Sequence, residues 1–386
     1  MKALIHDGKG TISLQEKERP SLQNPKDAII RVTLSSICTS DLHILNGAVP
    51  QAAPNTVLGH EFVGIVEEVG TEVSRFAPGD RVAVNVETFC GTCFFCQRGW
   101  VNNCVEGGWK LGCTIDGCQA EFVRVPYAEN ALTPIPDLVS DDQALFVGDV
   151  LATGWWGAKI GEITTGSSVA VIGAGPVGLT SMMCAKLYHP EKIIALDVSD
   201  YRLSVAQNNT LADAIINPNG KTLNEIESLI RKQTHGRGAD VVIEAAGGNN
   251  TFEMAWRIAR PNAVVVLSAM YEQNQMLPLP SMYGKNLVFK TGGVDAYRLD
   301  EIMHRIESGE LDTTCLISKR YPLNRIEEAY GLFSKRPEDC LKIAITPWNK
   351  MAPTPNKPPC LLRCFNAQPP STPNPPRCFG TQVRQA

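Results

Sequence analysis

Short apolar runs separated by turn residues characterise the first 150 residues of the chain. Examples span residues 28–34, 63–66 and 81–84, with Gly, Pro and Asp between them. Apolar runs of this length with such boundaries predict β-strands, and Pro-Gly-Asp at residues 78–80 predicts a turn. We therefore expect residues 1–150 to form a β-rich domain.

Strand-like runs alternate with helical segments between about residues 165 and 293. The predicted strands are residues 169–172, 193–196, 214–216, 241–243, 264–267 and 287–289. The predicted helices are a first one ending at residue 187 and then residues 201–208, 223–234 and 251–259. This alternation predicts an α/β fold, in which helices cover both faces of a doubly wound parallel sheet.

The remainder of the chain changes character twice. Helices are predicted at residues 299–308 and 325–334. Residues 350–386 are rich in Pro, contain no acidic residue and show no hydrophobic period. Because such a segment cannot bury enough apolar surface to form a core, we predict a disordered extension there.

The composition disfavours several classes of protein. The 386 residues are 44% hydrophobic and 20% charged, and they contain neither a bilayer-length apolar run nor a recognisable signal peptide. The net charge of −4 disfavours a nucleic-acid-binding surface, which needs clustered positive charge. Thirteen cysteines in a chain of this size indicate reduced thiols, and hence a cytoplasmic protein.

A glycine-rich turn joins the first strand of the alternating region to its helix. Its sequence is Gly173-Ala-Gly175-Pro176-Val177-Gly178. The first glycine would make the tight turn, the second would let the backbone approach a pyrophosphate, and the third would let helix and strand pack closely. Amides at the N-terminus of the helix would then face the phosphate charge. The turn therefore predicts a dinucleotide-binding site.

Asp197 ends the second strand of this region and bears on the choice of cofactor. Its carboxylate could accept hydrogen bonds from the adenosine ribose hydroxyls, and it would repel a 2′-phosphate. Asp200 adds negative charge nearby, whereas Arg202 could meet a phosphate or pair with either aspartate. We expect NAD rather than NADP as the cofactor.

A short loop carries four cysteines with metal-ligand spacing, namely Cys90, Cys93, Cys96 and Cys104. Four thiolates can form the closed tetrahedral shell of a structural zinc site, which leaves no position for a substrate. Cys113 and Cys118 lie close by in the sequence and are expected to be free thiols. The loop is therefore predicted to stabilise the fold, and the chemistry must lie elsewhere.

Cys38 and His60 together supply one thiolate and one imidazole. A catalytic zinc uses about three protein ligands and keeps one position for water or substrate. The third ligand would have to come from another part of the chain.

The stretch Gly59-His60-Glu61-Phe-Val-Gly64, followed by Gly70, resembles the zinc signature of the medium-chain alcohol dehydrogenases. The resemblance covers about residues 1–347 and includes both metal-site stretches, the glycine turn and Asp197. It implies a GroES-like catalytic domain that is interrupted by a Rossmann domain and completed by the C-terminal part of the chain.

The resemblance also implies domain boundaries. The GroES-like domain would span residues 1–150 and include a structural zinc lobe at residues 90–104. The Rossmann domain would span residues 151–293, and residues 294–349 would return to the catalytic domain.

The same resemblance implies a third zinc ligand. Asp149 would complete the set begun by Cys38 and His60. Many members of the family carry a cysteine at this position, whereas the secondary-alcohol dehydrogenases carry an aspartate. A carboxylate is a harder donor than a thiolate and leaves zinc more strongly Lewis acidic.

Four further residues acquire roles from the resemblance. Ser40 and His43 would relay the proton of the substrate, and imidazole suits that step because it exchanges protons near neutral pH. Glu61 would neighbour the zinc, and in the family the corresponding residue sometimes coordinates it. Asp41 would orient the ring of the histidine ligand.

These expectations describe an NAD-dependent alcohol dehydrogenase with two zinc ions per chain, acting on a small secondary alcohol or the matching carbonyl. A polyol dehydrogenase or an L-threonine dehydrogenase is the alternative. Trp155 and Trp156 could wall a bulky apolar pocket or could pack their helix. A non-catalytic binding protein fits poorly with an intact ligand set, and a zinc-finger nucleic-acid module fits poorly with the acidic balance. The resemblance further implies a homodimer or homotetramer.

Overall fold

The computed structural model describes residues 1–348, so the predicted tail at residues 350–386 lies outside the described residues. The strands are β1 (Lys2–His6), β2 (Ile12–Glu16), β3 (Ala28–Ser36), β4 (Thr56–Val57), β5 (Glu61–Val69), β6 (Arg81–Val84), β7 (Glu87–Thr88), β8 (Gly108–Trp109), β9 (Phe122–Val125), β10 (Leu132–Pro134), β11 (Ser168–Ile172), β12 (Lys192–Leu196), β13 (Ala214–Ile216), β14 (Ala239–Glu244), β15 (Ala259–Leu267), β16 (Val288–Thr291), β17 (Ile317–Pro322) and β18 (Lys342–Thr346). The helices are α1 (Thr39–Leu45), α2 (Ala128–Ala131), α3 (Asp141–Ala144), α4 (Val150–Ile160), α5 (Pro176–Lys186), α6 (Asp200–Asn208), α7 (Leu223–Gln233), α8 (Thr251–Ile258), α9 (Leu279–Met282), α10 (Leu299–Glu307) and α11 (Ile326–Phe333).

A six-stranded parallel sheet forms the middle of the chain, in the order β13-β12-β11-β14-β15-β16. Its central strand β11 is buried along its whole length. Val169 and Val171 belong to a core cluster that includes α4 and α5, whereas Ala170 and Ile172 pack with α7 and α8 on the opposite face. Successive side chains of a strand point to opposite faces, so helices cover both faces of the sheet, and the predicted α/β fold is confirmed.

A mixed sheet brings the two ends of the described chain together. Its order is β10-β6-β5-β3-β18-β17, and β9 also pairs with β3. Strand β18 runs antiparallel to β3, with Ala344 opposite Ser36 and Ile345 opposite Ser35. The C-terminal segment thereby packs against the strand that leads into α1. Smaller sheets join β2-β1-β4 and β7-β8.

The predicted helices near the end of the described chain are present, as α10 and α11, with bounds that differ by one residue. The domain boundaries given above remain predictions. None of the helices within residues 1–348 combines the length and apolarity that a membrane span requires.

Candidate active site

Cys38 lies where strand β3 gives way to α1, and its backbone is held in place by the helix that follows. Its extended conformation, with φ −113° and ψ 155°, makes it the N-cap of α1. The Cys38 amide donates to Asp41 Oδ2 at 2.9 Å. A short acidic side chain in the first helical turn is a favoured partner for such amides. This hydrogen bond fixes the backbone of Cys38, from which its side chain extends.

His60 is positioned by the glycine before it. Gly59 has φ +95°, and a Cβ built there would lie 2.6 Å from Gln119 Cγ and 2.8 Å from Cys118 Sγ. Only glycine accommodates both the left-handed backbone and this crowding. The His60 side chain is buried, and its ring packs against Trp109 in a T-shaped contact with a centroid distance of 5.4 Å.

The side chains of Cys38, His60 and Asp149 converge, with their ligand atoms within 4.8 Å of one another. His60 Nε2 lies 3.3 Å from Asp149 Oδ2, and Cys38 Sγ lies 3.9 Å from the same oxygen. Asp149 is the N-cap residue of α4, yet its side chain makes no capping hydrogen bond. Helix capping therefore does not account for the orientation of its carboxylate.

The charges of this cluster favour a cation. Burial opposes a charge on His60, but the Asp149 and Asp41 carboxylates outweigh it and raise the pKa of His60 well above its usual value. Burial likewise opposes the charge on Asp149, but hydrogen bonding to His60 lowers the pKa of that carboxyl. Positive charge is thus drawn into a buried position, and a divalent metal ion would supply it.

Glu61 forms a buried ion pair with Lys342, a residue that sequence reasoning missed. Both side chains are almost fully inaccessible, and the Lys342 ammonium also lies 3.4 Å from the Ile37 carbonyl oxygen. Burial raises the pKa of Glu61 to about 7, although the ammonium opposes that rise. Burial would lower the pKa of Lys342, but the surrounding Cys38, Glu61 and Asp149 raise it. The lysine supplies fixed positive charge beside the ligand cluster.

Ser40 and His43 both lie on α1, three residues apart, and Ser40 is the one that contacts the cluster. Ser40 Oγ lies 3.6 Å from Cys38 Sγ. The His43 ring is largely buried, and its Nδ1 lies 2.9 Å from Glu272 Oε1. Within residues 1–348 no direct hydrogen bond joins Ser40 to His43, so a proton passing between them needs a bridging group. Glu272 follows β15, and no sequence signal pointed to it.

The four cysteines of the predicted structural site also converge. Their sulfur atoms lie within 4.8 Å of one another, in the set Cys90, Cys93, Cys96 and Cys104. Hydrogen bonds lower the pKa of Cys93 to about 6, and the largest contribution comes from the Cys96 backbone amide. This shift favours a thiolate. Cys113 and Cys118 belong to neither set and are buried free thiols. Four sulfur donors fit a closed zinc shell.

The glycine turn follows β11 as expected. Gly173 has φ +95°, Gly175 is the N-cap of α5, and Pro176 occupies its first turn. Val177 is half-buried. A Cβ built on Gly178 would lie 1.8 Å from the Gly173 carbonyl oxygen, so helix and strand pack more closely there than any side chain permits.

Asp197 lies directly beside this turn. Its Oδ2 accepts from the Ala174 amide at 2.7 Å and its Oδ1 from the Ser199 amide at 2.8 Å. The carboxylate therefore braces the turn in addition to any contact with a ribose. Arg202 does not pair with either aspartate in the described structure. Its Nη1 lies 3.7 Å from the Cβ position of Gly175, and its buried Nε has no hydrogen-bond partner.

Comparison with known proteins identifies the family. An alcohol dehydrogenase GroES-like domain model matches residues 24–137, and a zinc-binding dehydrogenase model matches residues 176–305. An alcohol dehydrogenase of Cupriavidus necator is 35% identical, with 90% of this chain and 99% of that protein covered. The chain belongs to the zinc-dependent alcohol dehydrogenase family.

Two further members of the zinc-dependent alcohol dehydrogenase family extend the comparison. The NADP-dependent isopropanol dehydrogenase of Thermoanaerobacter brockii is 32% identical, with 86% of this chain and 96% of that protein covered. The solved structure of zinc-dependent alcohol dehydrogenase 2 from Streptococcus pneumonia matches with a TM-score of 0.85 and 35% identity, covering 91% of this chain and 100% of that one. The predicted combination of a GroES-like and a Rossmann-like part is therefore confirmed.

The two tryptophans of α4 in this alcohol dehydrogenase family member could have walled a pocket or packed their helix. Trp155 packs against the core cluster of the parallel sheet, and the Trp156 ring approaches the Cβ position of Gly292 at 3.8 Å. The ring of Trp109 contacts His60, one of the predicted zinc ligands. A lysine opening the apolar strand β18 was the one signal in the sequence that could have pointed to the ion pair of Glu61.

Proposed function

We propose that the chain is an NAD- and zinc-dependent alcohol dehydrogenase that interconverts a secondary alcohol and the matching ketone. The observation that carries this proposal is the convergence of Cys38, His60 and Asp149, with ligand atoms within 4.8 Å. Family membership supports the general reaction, and this cluster supports the place where it would occur.

The donor set fits zinc. Thiolate, imidazole and carboxylate are ordinary zinc ligands, and three of them leave one coordination position for a substrate. We assign a second zinc to the four cysteines of residues 90–104. Because four thiolates fill a tetrahedral shell, this second ion would hold its loop together without touching the substrate.

The chain's own residues would place the substrate and move its proton. Zinc would lower the pKa of the alcohol hydroxyl, and the nicotinamide ring of a bound cofactor would take up the hydride. Ser40 lies next to the sulfur of Cys38 and would accept the hydroxyl proton first. His43, one helical turn further on, would carry it toward solvent, and Glu272 holds the ring at Nδ1. Because Ser40 and His43 share no hydrogen bond within residues 1–348, the relay would need one further hydroxyl group or water molecule between them.

The proposed cofactor is NAD. Asp197 lies beside the glycine turn, where its carboxylate would repel a 2′-phosphate. Arg202 lies beside Gly175 and would meet a phosphate of the pyrophosphate bridge. Because the Thermoanaerobacter brockii relative is NADP-dependent by name, both cofactors belong in the test.

We also propose that the protein is a homo-oligomer. Strand β16 forms an edge of the parallel sheet, and the segment before it exposes Met276, Leu279 and Tyr283 by 82%, 67% and 93%. A second copy that pairs along this edge would cover both the strand and the apolar side chains. Sedimentation equilibrium would distinguish monomer, dimer and tetramer.

A substrate panel tests the function directly. Secondary alcohols, polyols and L-threonine would be assayed with NAD and with NADP on zinc-replete protein. We expect the highest kcat/KM for a secondary alcohol with NAD. Faster turnover of a polyol or of L-threonine would replace the proposed substrate class, and no turnover in any arm would refute the proposed reaction.

A pair of histidine variants tests the site. His60→Ala should lose one of two zinc ions and all turnover while remaining folded. His304→Ala, whose side chain is 75% exposed on α10, should keep both zinc ions and full activity. Normal turnover in His60→Ala would remove this residue from the site.

A further inference from the structure

The hydroxyl group of Tyr330 contacts a carboxylate deep inside the protein. Tyr330 lies on α11 and is 2% exposed, and Asp41 lies on α1 and is fully buried. The Tyr330 hydroxyl donates to Asp41 Oδ2 at 3.1 Å across 289 positions of sequence. The contact therefore joins the last described helix to the first.

Asp41 is the point where two of the proposed zinc ligands meet. Its Oδ2 accepts from the Cys38 amide at 2.9 Å, and its Oδ1 lies 3.4 Å from His60 Nδ1. A change in the orientation of this carboxylate would break its hydrogen bond to the Cys38 amide and would alter its approach to the His60 ring. Whatever fixes this carboxylate fixes two ligands together.

The phenol is suited to this task. The Tyr330 ring packs into an apolar cluster with Leu42 and Ile326, among others. Burial is the main reason that the pKa of Tyr330 lies well above its usual value, and the nearby Asp41 charge raises it further. The hydroxyl group therefore remains a neutral donor. Phenylalanine would satisfy the packing alone. What the hydroxyl group adds is therefore a hydrogen bond to the Asp41 carboxylate. Without that bond, a buried carboxylate oxygen would lose a donor, which is costly.

We propose that Tyr330 is a positioning residue for the metal site, whose hydroxyl holds the Asp41 carboxylate so that His60 and Cys38 stay aligned for zinc. This inference rests on the proposed zinc site. Loss of a partner that orients a zinc ligand typically weakens metal binding by roughly 10–100-fold. The four-cysteine site shares no residue with this network and serves as an internal reference.

The test compares Tyr330→Phe with Tyr321→Phe by zinc competition against a chromophoric chelator. Tyr321 lies on β17 and packs against the same apolar cluster, so its variant controls for removing a hydroxyl group near this core. Cys38→Ser identifies which phase of zinc release belongs to the Cys38 site. We expect that phase to weaken by roughly 10–100-fold in Tyr330→Phe only, with the other phase unchanged.

Each outcome decides between the inference and its alternatives. A wild-type protein that releases a single zinc, unaffected by Cys38→Ser, would refute the proposed zinc site itself. Two zinc ions with a wild-type release profile in Tyr330→Phe would overturn only the role of Tyr330. Equal weakening of both phases would indicate general loosening of the fold and would also overturn it.

A double-variant cycle tests whether the Tyr330 hydroxyl acts through Asp41. Asp41→Ala removes both carboxylate oxygens, and with them the acceptor of the phenol. If the hydroxyl acts through Asp41, adding Tyr330→Phe to Asp41→Ala should change zinc retention at the Cys38 site by less than about twofold. Additive losses in the double variant would contradict the inference, because residues that act through one another do not show independent effects.

Discussion

Replacement of Gly178 by alanine is the sharpest test of the nucleotide site. The new Cβ would lie 1.8 Å from the Gly173 carbonyl oxygen and 2.8 Å from its carbonyl carbon. Ordinary van der Waals contact begins at 3.4 Å, so the first distance falls short by about 1.6 Å. Both obstructing atoms belong to the backbone, and helix α5 must therefore move away from β11.

The size of the effect follows from that displacement. Overpacking of a closely packed position, including the backbone shift that it forces, costs about 1–3 kcal/mol and occasionally more. The amides that would cradle a pyrophosphate lie in the same turn and would move with the helix. We expect cofactor affinity to fall at least tenfold, which corresponds to about 1.4 kcal/mol.

Gly331 provides a matched control on α11. A Cβ built there meets no atom within 4 Å. Because alanine is favoured over glycine inside a helix by about 0.5–1 kcal/mol, Gly331→Ala should stabilise the protein slightly. The same chemical change is therefore expected to have opposite signs at the two positions.

The assay combines urea unfolding with NADH and NADPH fluorescence titration of the three proteins. Gly178→Ala should lose both stability and cofactor affinity, while Gly331→Ala keeps wild-type affinity. Wild-type affinity in Gly178→Ala would refute the close packing at this turn and its role in holding the cofactor.

Three further predictions concern other parts of the molecule. Asp197→Ala should weaken NAD and relax discrimination against NADP, and an unchanged ratio of kcat/KM would remove Asp197 from the site. Burial raises the pKa of Glu87 well above its usual value, so the folded wild type loses stability as pH rises above about 4.3, the usual glutamate pKa. Glu87→Gln should therefore exceed wild-type stability at pH 8, with a smaller gap at pH 5, and a constant gap in urea unfolding would contradict this. Cys93→Ser should lower the unfolding midpoint while the remaining folded enzyme keeps its kcat, and a selective loss of kcat would contradict a purely structural site.

The parallel sheet could be predicted because its signals are local. A buried parallel strand reads as a continuous apolar run, and each lies next to its own helix in sequence. The strand predicted at residues 264–267 shows the limit of this reasoning. In the structure β15 begins at Ala259, since that residue pairs with Ala239 on β14 across a register shift. The sequence around Arg260 and Pro261 resembles a loop. Only the pairing with the distant strand β14 shows that these two residues belong to β15.

The candidate site likewise contains residues that short motifs predict and residues that only the tertiary fold brings in. The cysteine spacing and the glycine turn are legible in short stretches, and the structure brings each of those groups of residues together. Tyr330 has no such local mark, and Lys342 is marked only as a lysine at the start of an apolar strand, which does not show what it pairs with. They reach α1 and β5 because β18 pairs with β3, and that pairing depends on strands about 300 residues apart. Their position beside the candidate site follows from the topology, which short sequence motifs do not capture.

The charges around the candidate site explain why it includes a residue of the C-terminal strand β18, namely Lys342. Asp41, Glu61 and Asp149 place three carboxyl groups within one buried region, beside the sulfur of Cys38. Lys342 supplies one fixed positive charge against them. Buried charges without partners are costly, and removing one member of a buried pair typically costs about 3–5 kcal/mol. One ammonium leaves negative charge over, which is why the proton on His60 is favoured. A divalent ion among Cys38, His60 and Asp149 would balance that excess, so the lysine and the metal would act as two parts of one charge balance.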